Sequence, residues 1–269
     1  MKLFRKLFAE KILRYYEGTE AGIKMIKSFP VIRKLVKDDA FGEKSKSRAF
    51  VGTMAQIFML AWEFIRKFMY VILLIYVPYT ILAYFFPLIR IHQDISIIYL
   101  FIMLSTICGS LANTTIFAMG DRDYLMIRVM LVSPNFLGKF IYKIVTEFVF
   151  YFIILIILGE PVFNALMLCI VTACARPVGE MMAIITFDHF RGVYENRSVL
   201  NGTIMAICVI LAYGLPVLNG RIAASWIYAI HPFVVCVMFL VGAGAMYFLW
   251  WYKYYRVIIR EAMHNKREF

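Results

Sequence analysis

Few residues in this chain have the type and spacing to do chemistry, and most of them are charged side chains set in apolar surroundings. Arg176 and Glu180 lie four apart in Cys174-Ala175-Arg176-Pro177-Val178-Gly179-Glu180, and Lys143 and Glu147 repeat that spacing earlier in the chain. Residues four apart share a helix face, so Arg176 and Glu180 could pair if the helix continues past Pro177. An arginine at mid-membrane depth costs ~2.5–3.5 kcal/mol on insertion scales, so Arg176 needs an explanation. In one reading the membrane segment ends near Ala175, Arg176 reaches the cytoplasmic interface and residues 176–190 form a cytoplasmic extension. In the other the helix runs to about Phe187, and Arg176 and Glu180 face a polar cavity as a candidate translocation path. The first is the preferred reading. Lys143 and Glu147 fall near a membrane boundary and read as a structural pair.

Catalytic signatures are missing. There is no GxxxxGK[S/T] phosphate loop, since Gly138-Lys139 is followed by Phe140 and lacks the upstream glycine. HExxH and GxSxG are also absent. His92, His189, His231 and His264 are scattered, and the Asp121–Asp123 pair stands alone. Cys108, Cys169, Cys174, Cys208 and Cys236 all fall in apolar blocks without metal-ligand spacing, so they read as small core residues and no metal site is expected. The sequons at Asn113, Asn196 and Asn201 fall in membrane or on the inner side and are discounted.

The elements that position these residues follow from hydropathy. The 269 residues are 62% hydrophobic with a mean hydropathy of +0.76, more than a water-facing surface allows. The excess sits in blocks of about 20 residues, the length of a helix across a ~30 Å hydrocarbon core. Backbone groups in lipid need internal partners, so each block reads as a helix. Six spans are expected: Phe68–Phe86 with a kink at Pro78, Ile95–Met119, Phe140–Leu158, a fourth from Pro161 to about Ala175 or further, Val199–Tyr213 and Phe233–Tyr252. The fold class is all-α and polytopic, with residues 1–65 as an amphipathic interfacial region, 66–256 as the membrane domain and 257–269 as a basic tail.

Charge placement orients the spans. Of the 29 Lys and Arg, fifteen precede residue 68, four lie in 120–143, two in 188–198 and five after 252. All of these fall on one side of a six-span arrangement. Only Arg90 and Arg221 fall on the other, and Arg176 is within the fourth block. The positive-inside rule then puts both termini in the cytoplasm. Met1–Glu17 has no continuous apolar core and does not read as a signal peptide. Leu3, Phe4, Leu7, Phe8, Ile12, Tyr15 and Tyr16 recur at helical spacing opposite Lys and Arg, as in a helix lying in the membrane interface. The net charge of +12 is explained by this asymmetry rather than by nucleic-acid binding. Gly109 and Ala112 in the second span, and Gly242, Ala243, Gly244 and Ala245 in the sixth, are small residues suited to close helix packing.

The segment between the second and third spans, GDRDYLMIRVMLVSPNFLGKFIYK (Gly120–Lys143), starts with a charged cluster, continues amphipathically and breaks at Ser133-Pro134. A short helix here would lie across the cytoplasmic surface. The pattern resembles the corresponding loop of type-2 ATP-binding cassette exporter permeases: an acidic–Arg–acidic start at Asp121, Arg122 and Asp123, a short helix with Leu125 and Met126, then Val132, Ser133 and Pro134 before Lys139. The match is loose and covers about 24 residues. This chain has Asp where Glu is commoner, and its N-terminal region is long for that class. The resemblance implies that Asp121, Arg122, Asp123, Tyr124, Leu125, Met126, Arg128, Val132, Ser133 and Pro134 dock on a separate cytoplasmic ATPase subunit. It also implies short re-entrant helices within Gly214–Pro232. ATP and magnesium would be bound by the ATPase subunit and no cofactor by this chain. A second permease copy, or a related permease, would complete the path. The expected function is then the membrane subunit of an exporter of hydrophobic peptide or lipid, not an enzyme, in a bacterial plasma membrane. Two alternatives stand beside it: a membrane enzyme acting on lipid or prenyl substrates, for which no convergent acidic or histidine set is found, and a non-catalytic scaffold.

Overall fold

A computed structural model describes residues 46–116, 132–187, 189, 197–252, 254 and 258, with side chains described from 50 and, after the second span, from 136. The chain divides into two compact units, Met1–Lys67 and Phe68–Phe269. In the first, the described residues are helical and Lys67 Nζ lies 3.1 Å from Glu63 one turn back. No strand occurs among the described residues. Six helices are long and apolar enough to cross a membrane: α1 (Phe50–Phe85), α2 (Gln93–Ala112), α3 (Val132–Ile157), α4 (Val162–Phe187), α5 (Ser198–Asn219) and α6 (Pro232–Trp251). The chain is an all-α, multi-pass membrane protein by this measure.

Helix ends follow local chemistry. Pro87 and Pro232 each open a helix, where the missing N–H costs nothing because the first turn has no acceptor for it. His231 Nδ1 adds a cap by accepting the Phe233 N–H at 3.3 Å. Between α3 and α4, Gly159 adopts φ +89°. Its N–H donates to the Ile156 carbonyl and the Glu160 N–H to the Leu155 carbonyl, both at 3.0 Å. That crossed pair terminates α3 on a left-handed glycine and lets Pro161 start α4 at once. Gly220, at φ +61°, ends α5 in the same left-handed region.

Several boundaries differ from the hydropathy reading. Helix continues from Lys46 to Phe85, so residues 49–67 and the first span share one helical run. α2 stops at Ala112 rather than Met119, because the chain leaves helical geometry at Asn113. α3 begins at Val132, which puts Ser133-Pro134 in its first turn, where proline is tolerated. α4 passes through Pro177 and runs to Phe187. Within Gly214–Pro232, α5 continues to Asn219 and a 3₁₀ helix covers Ala224–Ile230.

α2 and α4 form the centre. About 72% and 61% of their most apolar windows are buried, against 11% for α5. Small residues set the spacing around α4. A Cβ on Gly242 would come within 2.9 Å of the Cys174 carbonyl oxygen, and one on Gly179 would overlap the backbone carbonyl of Ser110. Ala245 is also buried, whereas a Cβ on Gly244 would meet open space. The packing stripe on α6 is therefore Gly242 and Ala245, one turn apart.

Three π-helical segments interrupt the rods: Ile72–Tyr76 in α1, Ile102–Cys108 in α2 and Ile210–Gly214 in α5. A tyrosine hydroxyl from a neighbouring helix donates to a carbonyl in each. Tyr70 of α1 bonds Leu104 O of α2 at 3.0 Å, Tyr99 of α2 bonds Leu211 O of α5 at 2.6 Å, and Tyr213 of α5 bonds Leu74 O of α1. The three bonds close a ring through three helices. Pro78 gives the reason at one corner. Having no N–H, it leaves the Leu74 carbonyl without its helical donor, and Tyr213 supplies one.

Candidate functional site

The described ionisable groups most deeply enclosed by protein meet where α2, α3 and α4 pack together. α4 contributes Arg176 and Glu180, 5% and 2% exposed, one turn apart on its buried face. α3 contributes Glu147, 6% exposed, and Lys143 one turn before it. α2 contributes no charge here. It offers backbone: the Gly109 carbonyl and the chain leaving its last turn.

Arg176 Nε donates to Glu147 Oε2 at 2.6 Å. Its Nη1 donates to the Gly109 carbonyl. The guanidinium lies flat against Gly109, and a Cβ there would be 2.9 Å from Nη2. Only glycine leaves room for that approach, so Gly109 serves the arginine as well as helix packing. The charge is thus neutralised across helices, and part of its donor capacity is satisfied by backbone, which is what a low-dielectric position demands.

Glu180 does something different. Its two carboxylate oxygens accept the backbone N–H groups of Thr115, through Oε1, and Ile116, through Oε2 at 3.2 Å. Both donors lie within four residues of the end of α2 at Ala112. Lys143 Nζ reaches the same stretch from α3, donating to the Asn113 carbonyl at 2.6 Å and lying 3.4 Å from Thr115 Oγ1. The four residues Asn113–Ile116 are therefore gripped from both sides, by an anion on α4 and a cation on α3. Below them Ile116, Phe136, Leu137, Phe140, Ile184 and Phe187 form an apolar plug. Above, the Thr106 and Thr172 hydroxyls bond at 2.7 Å between α2 and α4, and Thr172 also donates to the Leu168 carbonyl at 2.9 Å.

Arg176 pairs with Glu147 on α3 rather than with Glu180, whose oxygens take the Thr115 and Ile116 N–H groups, and Lys143 holds the α2 exit. For Arg176 the four-residue spacing identified the shared face but not the partner, because another helix offers a better-placed carboxylate. α4 continues past Ala175 to Phe187 as one helix, and protein covers the Arg176 side chain. Of the residues expected to dock an ATPase, Asp121, Arg122, Asp123, Tyr124, Leu125, Met126 and Arg128 lie outside the described residues. Val132, Ser133 and Pro134 form the first turn of α3. Among the described residues no group of three or more His, Cys, Asp or Glu is placed to hold a metal ion.

The sequence reading missed the role of Glu147 as partner to Arg176 and the use of Glu180 as a backbone clamp. The one available signal was numerical. Two cations and two anions sit in adjacent apolar blocks, and cross-pairing was as open to them as self-pairing.

No protein-family model matches this chain, and no curated protein or solved structure matches it.

Proposed function

We propose that this chain is the membrane subunit of an ATP-driven exporter, moving a hydrophobic peptide or a lipid. A separate cytoplasmic ATPase would supply the energy, with ATP and magnesium held on that subunit. Two copies, or this chain with a related permease, would enclose the path in a bacterial plasma membrane, with both termini in the cytoplasm. Residues 121–135 would form the surface that the ATPase grips, with residues 1–65 as a second contact.

The observation that carries the reading is the grip on Asn113–Ile116 by Glu180 and Lys143. A segment that receives force from a soluble engine needs a stiff root, or the force is lost in loop motion. Here the root is tied to α4 through two backbone donors and to α3 through a lysine, five residues ahead of Asp121. Displacement at 121–135 would reach α3 directly, because that helix begins at Val132, and would reach α4 through the Glu180 carboxylate. An ordinary interfacial loop has no need of a buried carboxylate at its start.

The test is co-purification. The doubly reversed variant Asp121→Lys with Asp123→Lys is expected to insert normally but to lose its ATPase subunit on affinity purification. Unchanged recovery of the ATPase subunit with this variant would count against the assignment.

A further inference from the structure

At the other end of the bundle, the connection from α1 to α2 and the connection from α5 to α6 face each other across an open cavity of about 630 Å³. Its lining mixes apolar residues, Leu88, Ile222, Ala223 and Ala224, with polar ones, Arg221, His92 and Asn219. We propose that this cavity binds a phosphate-bearing anion, held chiefly by Arg221 with His92 and Asn219 as further donors.

Three features support the assignment. First, the lining is one-sided in charge: a guanidinium, an imidazole and an amide, with no carboxylate. Asp94 and Glu160 lie at the same end of the bundle but form no part of the lining. Among the described residues no carboxylate lies within ion-pair distance of Arg221, so its fork of donors is open to a ligand. Planar guanidinium matches phosphate oxygens two at a time.

Second, the walls are built rather than loose. Gly220 turns the chain at φ +61°, which brings Arg221 to the rim directly after α5. The 3₁₀ helix behind it is anchored by Trp226, whose ring packs edge-on to Tyr99 at 4.9 Å, and Tyr99 is itself bonded to Leu211 O. On the opposite wall the His92 carbonyl accepts both the Ser96 N–H at 3.1 Å and the Ser96 hydroxyl at 2.9 Å. That fixes the histidine backbone at the start of α2, where the residue lines the cavity.

Third, the size and the mixed walls suit a phosphate ester. The volume falls within the ~300–1,000 Å³ of small-ligand sites. Leu88 and Ile222 would meet the carbon side of an ester while Arg221 meets its phosphate. The shared chemistry is a phosphate oxyanion, whether on a lipid headgroup or free in solution. The proposal is independent of the transport reading above.

The test uses the full-length protein in dodecyl maltoside, which carries no phosphate, with binding followed by calorimetry. The probes are inorganic phosphate and phosphatidylglycerol in mixed micelles. Saturable binding of at least one probe is expected, weakened at least tenfold by Arg221→Ala and little changed by Arg90→Ala, an exposed arginine at the same end outside the cavity. Binding of phosphatidylglycerol alone would identify the lipid headgroup as the source; binding of both would identify the free anion as sufficient. Absence of saturable binding by either probe would overturn the proposal. So would equal affinity in Arg221→Ala, or equal weakening by Arg90→Ala, which would reduce the effect to surface charge.

Discussion

Replacing Glu147 by glutamine removes a charge and little volume, so its effect isolates the ion pair. Arg176 would stay where it is, with its Nη1 on the Gly109 carbonyl and 5% exposure, but with no carboxylate at Nε. Breaking a buried pair by removing one partner costs about 3–5 kcal/mol, because the remaining charge is desolvated and unopposed. At ~2–4 °C per kcal/mol for a chain of this size, the melting temperature in detergent should fall by about 6–20 °C. The control is the double variant Glu147→Gln with Arg176→Gln. It removes both charges, and buried pairs replaced together are close to neutral. The double variant should recover most of the loss, giving an interaction energy of about 3 kcal/mol or more in a double-mutant cycle. A parallel cycle between Arg176 and Glu180 should give less than ~0.5 kcal/mol, since Glu180 spends its oxygens on Thr115 and Ile116. If the larger interaction energy appeared in the Arg176–Glu180 cycle, the cross-helix pairing would be wrong and the simple four-residue pair right.

Other expectations follow from single contacts. Gly242→Ala should destabilise by about 1–3 kcal/mol, because its Cβ has nowhere to go against the Cys174 backbone, while Gly244→Ala should be within ~0.5 kcal/mol of the parent; thermal melts of the two variants make the comparison. Tyr99→Phe should cost about 1 kcal/mol in the same assay by leaving the Leu211 carbonyl without its hydroxyl donor, with the ring packing on Trp226 retained. Burial pushes the Glu160 carboxyl up to about 7 from its ordinary 4.5, with the Asp94 charge adding to the effect. A carboxyl raised on folding contributes stability that is full below pH 4.5 and lost as pH rises through 7. Stability should therefore fall from pH 5 to pH 8 by on the order of 1–2 kcal/mol, read as a lower melting temperature, and Glu160→Gln should flatten that slope; a slope unchanged in the variant would show that another group is responsible.

The six crossings were legible because their cause is local: length and apolar content decide whether a helix can span. The ends were less so, and α2 shows why. The hydropathy reading carries the span across Asn113-Thr114-Thr115 to Met119, yet helix stops at Ala112. The break is held by Glu180, which lies 64 residues beyond Ile116 in sequence and takes the N–H groups that a continuing helix would have used. No window of composition contains that carboxylate. α4 is the converse. Its helix runs through Arg176, Pro177 and Glu180, and the partners that let the two charges stay buried come from Glu147 on α3, from Gly109 and from the chain just past α2. Of the four small residues 242–245 read as suited to close packing, Gly242 and Ala245 do pack while Gly244 meets open space, because small size marks a candidate without saying which face meets a helix. The π segments had no such mark. They depend on which carbonyl meets which tyrosine, and Tyr70, Tyr99 and Tyr213 look like any other aromatic residues of an apolar block.

Two systems of ties run through the second unit, and α2 belongs to both. The tyrosine ring joins it to α1 and α5 through Leu104 and Tyr99. The charged cluster joins it to α3 and α4 through Gly109, Asn113, Thr115 and Ile116. The kinds of bond differ as well. Neutral hydroxyl–carbonyl bonds are worth about 1 kcal/mol each and a buried charged contact several times that when broken. A force applied where the chain leaves α2 would therefore hold α2, α3 and α4 together and yield first at the tyrosines. The Tyr213 bond to the Leu74 carbonyl is the third neutral tie, between α5 and α1. Removing it, in Tyr213→Phe, should let α1 and α5 separate. Spin labels placed on the exposed positions Ile81 and Leu218 would then report a broader distance distribution than in the parent. An unchanged distribution would mean that packing alone, without the hydroxyl, keeps α1 on α5.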